Sequence, residues 1–298
     1  MSRRRAVGLA GSTRRDRRGA LVVVPRVRAP SPPTTRSDSS PADVGVIRYP
    51  CALGARRPPR LEWCTMKRDA LRVIDDFLTA SQCEEILATI SAYRRRHEPP
   101  LINRAERGRS LRYRVIDGNA VAHALSELEL LYRHTGQLIG AWLGHAVAPI
   151  EDRVAGININ ITPPGGEYRW HYDRNAVTAI VYLNEVSGGA TEVYANHRIL
   201  LPERLRIGQP RLDAIVGARA VRALVGSKSV VVPRAGRLVV MQGDRCLHSV
   251  CPVEGSDDRI NLCMAYDRVG ARGRPRHALD AYLYTEQTVG GPDPNYLG

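Results

Sequence analysis

Between Gly156 and Ala195, and again between Arg237 and Asp267, glycine, proline and aspartate divide the chain into short runs, and neither block holds a long amphipathic helix. GININITPP alternates apolar and polar residues, the period-2 pattern of a half-buried strand. Ile157, Ile159 and Ile161 fall on one face, and Asn158, Asn160 and Thr162 on the other. A Pro-Pro-Gly-Gly turn follows, then RWHYD, then VTAIVYLNE, a Gly188-Gly189 turn and the short run TEVYA. The second block has the same style. RLVVMQGD ends in Gly-Asp, CLHSVCPV follows, EGSDD turns the chain, and RINLCMAYD returns with Arg259, Asn261 and Cys263 on one face. Short, punctuated strands of this kind specify an all-β sandwich or barrel. Within that class, a jelly roll brings strands distant in sequence to one open mouth.

Both blocks carry chemistry. His171 and Asp173 are two residues apart in a predicted strand and so point to the same side, with Trp170 and Tyr172 on the other. His248 follows Asp173 by 75 residues, and Arg259 follows His248 by 11. Two imidazoles and one carboxylate are the protein ligands of a facial-triad non-haem iron(II) site, which leaves coordination positions open for substrate chemistry. An H-x-D pattern alone is common by chance, and a single arginine says little in so arginine-rich a chain. Weight comes from the order of the four residues and from the strands that carry them. Asn158 and Asn160 face either a pocket or solvent. His123, His134, His145 and His197 have no comparable flanks and read as ordinary surface or core residues, and Trp170 reads as core.

From about Met66 to Tyr284 the chain resembles the iron(II)- and 2-oxoglutarate-dependent oxygenases, in the prolyl 4-hydroxylase-like branch. PPGGEYRWHYD, the YLNE…GGATEVY run and GRLVVMQGDRCLHSVCPVEGSDDRINLCMAYD carry the resemblance. It implies a mainly β fold with flanking helices, a double-stranded β-helix of the jelly-roll, cupin-like kind. It also implies His171, Asp173 and His248 as catalytic residues and iron ligands, with Arg259 pairing with the distal carboxylate of 2-oxoglutarate. Asn261, Thr162 and Asn160 stand beside these as candidates for cosubstrate binding. Two positions depart from the family's pattern. A tyrosine common before the glycine turn is replaced by Thr162, and the position two after the arginine, often serine or threonine, is Asn261. Both keep a side chain that forms hydrogen bonds.

The reaction implied is that of an Fe(II)- and 2-oxoglutarate-dependent dioxygenase. It consumes O2, hydroxylates an unactivated C–H bond of a small molecule, amino acid or peptide, and releases succinate and CO2. Halogenating relatives lack the carboxylate ligand, so Asp173 points to hydroxylation. Two other readings remain: a jelly-roll metal enzyme that uses no 2-oxoglutarate, with Arg259 incidental, and a nucleic-acid-binding protein acting through a basic N-terminal arm.

Charge weakens the last of these. The formal net charge is +14, but residues 1–65 hold 14 arginines against Asp16, Asp38, Asp43 and Glu62, a net of +10, which leaves +4 for residues 66–298. The expected partner is therefore a small-molecule or peptide substrate; nucleic acid is not expected, and no apolar run is long enough to span a membrane. Residues 1–65 also hold eight of the 20 prolines and no periodic run longer than LVVV, a composition expected to be disordered. Only Lys67 and Lys228 are lysine among the 44 basic residues, as in a GC-rich coding sequence, and Met66 directly precedes an orderly pattern. Translation starting at Met66 is the expectation, and an intact mass near 32.9 kDa for the native protein would contradict it.

Beyond Met66, LRVIDDFL reads as a strand and turn. A helix over SQCEEILATISAYRR is expected to be capped by Thr79 or Ser81, with Glu84 in its first turn, and residues 121–146 to form a second helical stretch. Both helical stretches should pack on the outside of the β core. The Arg-rich insert at about 198–230 separates the two halves of the metal set and is expected to cover the site and help choose the substrate. Cys51, Cys64, Cys83, Cys246, Cys251 and Cys263 form no C-x-x-C pair and read as free thiols. Free thiols and iron(II) chemistry both fit a cytoplasmic location.

Overall fold

The computed structural model describes residues 70–106 and 109–270, together with two short strands nearer the N-terminus. The chain divides into two compact units, residues 1–46 and 47–298. In the first, β1 (Thr13–Arg15) and β2 (Leu21–Val23) pair antiparallel with Arg14 opposite Val22, so the LVVV run supplies a strand. The expected disorder of residues 1–65 otherwise lies outside the described residues, as do the Met66 start, Cys51 and Cys64.

The second unit is built on β3 (Leu71–Ile74), β4 (Leu101–Glu106), β5 (Arg109–Ile116), β6 (Val147–Pro149), β7 (Ile157–Thr162) and β8 (Tyr168–His171). It continues through β9 (Val177–Tyr182), β10 (Thr191–Tyr194), β11 (Lys228–Val231), β12 (Leu238–Met241), β13 (Leu247–Val250) and β14 (Arg259–Arg268). A large sheet runs β3-β12-β9-β14-β7-β5-β4, with β6 added to β14, and a small sheet runs β11-β10-β13-β8. Nearly every turn after β7 carries the chain from one sheet to the other. This crossing makes the antiparallel, mainly β architecture a double-stranded β-helix, as the strand punctuation and the resemblance both led one to expect.

Side-chain alternation sorts residues between two interiors. The isoleucines of β7, with Val177, Ala179 and Val181 of β9 and Leu262 and Met264 of β14, pack outward against helices. α1 (Ala80–Arg94) contributes Cys83, Ile86 and Ile90 to that layer. Thr79 caps it in a capping box with Gln82, and no acidic side chain lies in the first turn, so Ser81 and Glu84 do not have the expected end roles. The stretch 121–146 is not one helix. It is α2 (Gly118–Ala124), capped by Asp117, and α3 (Glu127–Leu143), which ends at the left-handed Gly144. The break at Leu125 and Ser126 turns the apolar stripe of α3 onto β14, where Tyr132 donates to the Ala265 carbonyl and Tyr266 donates to the Tyr132 carbonyl. A short α4 (Arg153–Gly156) leads into β7.

The insert after β10 folds as a tight turn over Glu203–Gly208, then α5 (Gln209–Gly217) and α6 (Arg219–Val225). No helix among the described residues is long and apolar enough to cross a membrane.

Candidate active site

The inner face of the small sheet carries the metal set. His171 ends β8 and His248 lies on β13 directly opposite it in the ladder, with ring centroids 4.1 Å apart. The Nδ1 atom of His171 lies 2.8 Å from the Arg169 carbonyl and that of His248 lies 3.1 Å from the Cys246 carbonyl. A carbonyl only accepts, so each Nδ1 carries the proton and each Nε2 is left as a lone-pair donor. Asp173 lies beyond the end of β8 rather than in it, its N–H donating to the Gly243 carbonyl at 3.0 Å. Its Oδ1 is 3.4 Å from His171 Nε2 and 3.6 Å from His248 Nε2. One ligand atom from each of the three residues falls within 4.8 Å of the others, so the set could hold a metal ion.

Electrostatics suit a cation. Burial acts to raise the Asp173 carboxyl, but His248, His171 and the Thr178 hydroxyl together hold it well below the usual carboxylate range. Burial, and then the nearness of His171, push His248 down to about 4, so both a carboxylate and a neutral imidazole are ready as ligands near neutral pH.

The pairing of β13 with β8 is irregular. His248 faces His171 and Val250 faces Tyr168, so three steps on β8 oppose two on β13. This bulge brings the Tyr168 ring to 4.8 Å from the His171 ring, although strict alternation would put the two on opposite faces. Trp170 and Tyr172 do turn away from the metal set, into a cluster with Tyr194 and Leu247.

The inner face of the large sheet supplies the second half of the site. Arg259 opens β14 and is only 3% exposed. Its Nη1 donates to Asn261 Oδ1 at 2.5 Å and its Nη2 to Thr191 Oγ1 at 3.3 Å, and its carbon CZ stands 5.0 Å over the Tyr182 ring. The Tyr182 hydroxyl in turn lies 2.6 Å from Thr191 Oγ1. Arg259 Nε has no partner among the described residues, and no described carboxylate pairs with the guanidinium. A buried cation without a counter-charge is costly, so the pocket is built for an anion that arrives from outside. Gly189 belongs to the same wall, because a Cβ there would stand 2.8 Å from Arg259 Cδ.

The predicted cosubstrate candidates fall on this face but do not all touch the arginine. Thr162 lies opposite Arg259 in the ladder and Asn160 opposite Asn261. The guanidinium, however, reaches Asn261 and Thr191, not Thr162. Asn160 and Asn261 both donate to Cys263 Sγ, at 3.4 and 3.0 Å, and burial pushes that thiol up to about 12. Cys246 is likewise buried and raised to about 11, and no disulfide forms among the four described cysteines. Sequence reading missed Thr191 and Tyr182. The TEVY run and the YLNE run gave their strands, but only the pairing of those strands shows that both side chains surround Arg259.

The insert departs from expectation. Arg222 stacks on Trp170 at 4.2 Å and Arg198 on Tyr172 at 4.7 Å, while Arg198 also pairs with the buried Asp213. These contacts place the insert on the outer face of the small sheet, behind the metal set instead of over it.

The sequence profile of the 2OG-Fe(II) oxygenase superfamily matches residues 157–266, the span that contains the triad and Arg259. The chain carries a 2OG-Fe(II) oxygenase domain. Proteins of this family use iron(II), 2-oxoglutarate and O2, and the chain is a 2-oxoglutarate-dependent oxygenase. Among solved structures, the oxygenase domain is similar to AviO1 from Streptomyces viridochromogenes Tue57, with 20% identity, 70% of this chain and 95% of that one covered, and a TM-score of 0.52. It is similar also to the non-heme alpha ketoglutarate dependent carbocyclase SnoK from nogalamycin biosynthesis, at 16% identity over 67% of this chain and 80% of that one, with a TM-score of 0.52. A Pseudomonas putida prolyl-4-hydroxylase matches at 22% identity over 69% of this chain and 96% of that one, with a TM-score of 0.44. The first two likenesses, to AviO1 and SnoK, support the fold. No curated protein sequence matches the chain.

Proposed function

We propose that the chain hydroxylates an unactivated C–H bond of a small molecule, amino acid or peptide. In this reading His171, Asp173 and His248 hold iron(II) through two Nε2 atoms and one carboxylate oxygen. Arg259 takes the distal carboxylate of 2-oxoglutarate through its guanidinium, a planar donor group matched to a carboxylate. Thr191, Asn261 and Tyr182 hold that guanidinium in place, and Thr162 and Asn160 line the approach on β7. Bound there, iron(II) and 2-oxoglutarate supply the oxidative decarboxylation that consumes O2, yields succinate and CO2 and places an oxygen atom in the substrate.

The observation that carries the reading is the pairing of a convergent His-Asp-His set with a buried arginine that has no carboxylate of its own among the described residues. Asp173 supports hydroxylation, since a carboxylate in that position leaves no vacancy for a halide. SnoK, a carbocyclase, is similar in fold, so the choice of hydroxylation rests on the ligand set and not on the fold.

The test is anaerobic titration of the full chain with iron(II) and 2-oxoglutarate, followed in the visible spectrum. A weak charge-transfer band, absent from the His171→Ala and His248→Ala variants, is the expected result, and succinate release then screens substrates. If iron binds and no band forms, the metal site stands and the 2-oxoglutarate assignment falls.

A further inference from the structure

The two oxygens of Asp173 have different surroundings. Oδ1 faces the Nε2 atoms of His171 and His248, whereas Oδ2 lies 2.5 Å from the Thr178 hydroxyl. The direction of that hydrogen bond is fixed by a third residue. Asn175 Nδ2 reaches both the Val177 carbonyl, at 2.7 Å, and Thr178 Oγ1, at 2.8 Å. A carbonyl oxygen can only accept, so the Asn175 atom facing it is the amide nitrogen, and Thr178 Oγ1 accepts from the same nitrogen. The single hydroxyl proton of Thr178 is then directed at Asp173 Oδ2.

We propose that Thr178, oriented by Asn175, is a positioning residue that keeps Asp173 a one-oxygen ligand. This inference rests on the iron(II)/2-oxoglutarate reading above. In a six-coordinate ion, two imidazoles and one carboxylate oxygen leave three positions, two for a chelating cosubstrate and one for O2. A carboxylate free to swing both oxygens onto the metal would fill one of those three. The cosubstrate would still bind, but O2 would have no place. Thr178 prevents this by occupying Oδ2 with a hydrogen bond.

The surrounding backbone is shaped for that contact. A Cβ on Gly243 would stand 2.7 Å from both Asp173 Cβ and Thr178 Oγ1 and 2.9 Å from Oδ2, so only glycine leaves the two side chains room to meet. The Gly243 carbonyl also accepts the Asp173 N–H, at 3.0 Å. At the other end of the connecting loop, Asp267 Oδ1 accepts the Ala176 N–H at 2.9 Å, which fixes the path from Asp173 to Thr178.

Nitric oxide, a probe that binds iron(II) where O2 would, reads the third position directly. The full-length wild type and the Thr178→Ser, Thr178→Val and Asn175→Ala variants would be loaded anaerobically with iron(II) and 2-oxoglutarate and titrated with nitric oxide by electron paramagnetic resonance. Wild type and Thr178→Ser should give the same nitrosyl signal. Thr178→Val, which keeps the shape and loses the hydroxyl, should keep the visible cosubstrate band and bind nitric oxide about 10–100-fold more weakly. Asn175→Ala should lose affinity in the same direction by a smaller factor. Thr178→Val titrating like wild type overturns the inference while leaving the cosubstrate reading intact. A wild type that shows no cosubstrate band overturns that reading and this inference with it.

Discussion

The two faces of the small sheet differ more than any two elements of the fold, although residues adjacent in sequence build them. His171 and His248 point inward, and their neighbours Trp170 and Leu247 point outward into a cluster with Tyr172 and Tyr194. The inner face gathers two imidazoles and a half-buried carboxylate, groups whose desolvation opposes folding unless a ligand compensates. The outer face is an aromatic layer closed by arginines of the insert. One sheet therefore separates binding from stability along a single residue step, and the insert belongs to stability.

The sharpest way to break this contrast is to compare Trp170→Ala with its neighbour His171→Ala. Trp170→Ala should lower stability by about 3–5 kcal/mol, a large-to-small change in a packed layer, while leaving iron(II) stoichiometry unchanged below the melting temperature. His171→Ala should abolish iron(II) binding and move the metal-free melting midpoint by no more than about 1 kcal/mol in equivalent stability. Thermal melts in chelator and metal titrations on both variants check the pair. A Trp170→Ala protein that stays folded and loses metal would show that the faces are not independent.

Arg259→Lys sharpens the contrast on the large sheet. Lysine keeps the charge and loses the planar fork, so 2-oxoglutarate affinity should fall by about 1.5–3 kcal/mol with metal affinity unchanged, as measured by calorimetry. Arg222→Ala is the smallest effect, about 0.5–1 kcal/mol of stability from one cation–π contact. It should leave 2-oxoglutarate affinity and succinate yield as in wild type. A change in either would return the insert to the role of an active-site cover.

The strands, their inward and outward faces and the triad were legible because period-2 alternation depends only on local sequence. Ile157 and Asn158 sort correctly on that rule alone. What alternation does not encode is which strand lies opposite. Thr191 and Tyr182 reach Arg259 only because β10 and β9 occupy their particular places in two different sheets. The bulge that turns Tyr168 toward His171 leaves no mark in an unbroken EYRWHYD run. The break between α2 and α3 falls in a segment whose helical spacing looks continuous, and tertiary contacts of Tyr132 with β14 decide it. The insert reads in sequence as a cover for the site, but the rings that Arg198 and Arg222 stack on, Tyr172 and Trp170, come from another part of the chain and face away from the metal set.

β14 is hydrogen-bonded to β7 along one edge and to β9 along the other, with β6 added near its end, and Asn184 takes the N–H of Ile260 beside Arg259. Amides in such a doubly flanked strand exchange with solvent through global unfolding, so the strand that carries the arginine stays in place in the ligand-free protein for as long as the domain stays folded. A dicarboxylate then meets a receptor already assembled, and little ordering entropy is lost when it docks. Differences among such ligands should accordingly be read in how long each resides, with nearly uniform rates of arrival.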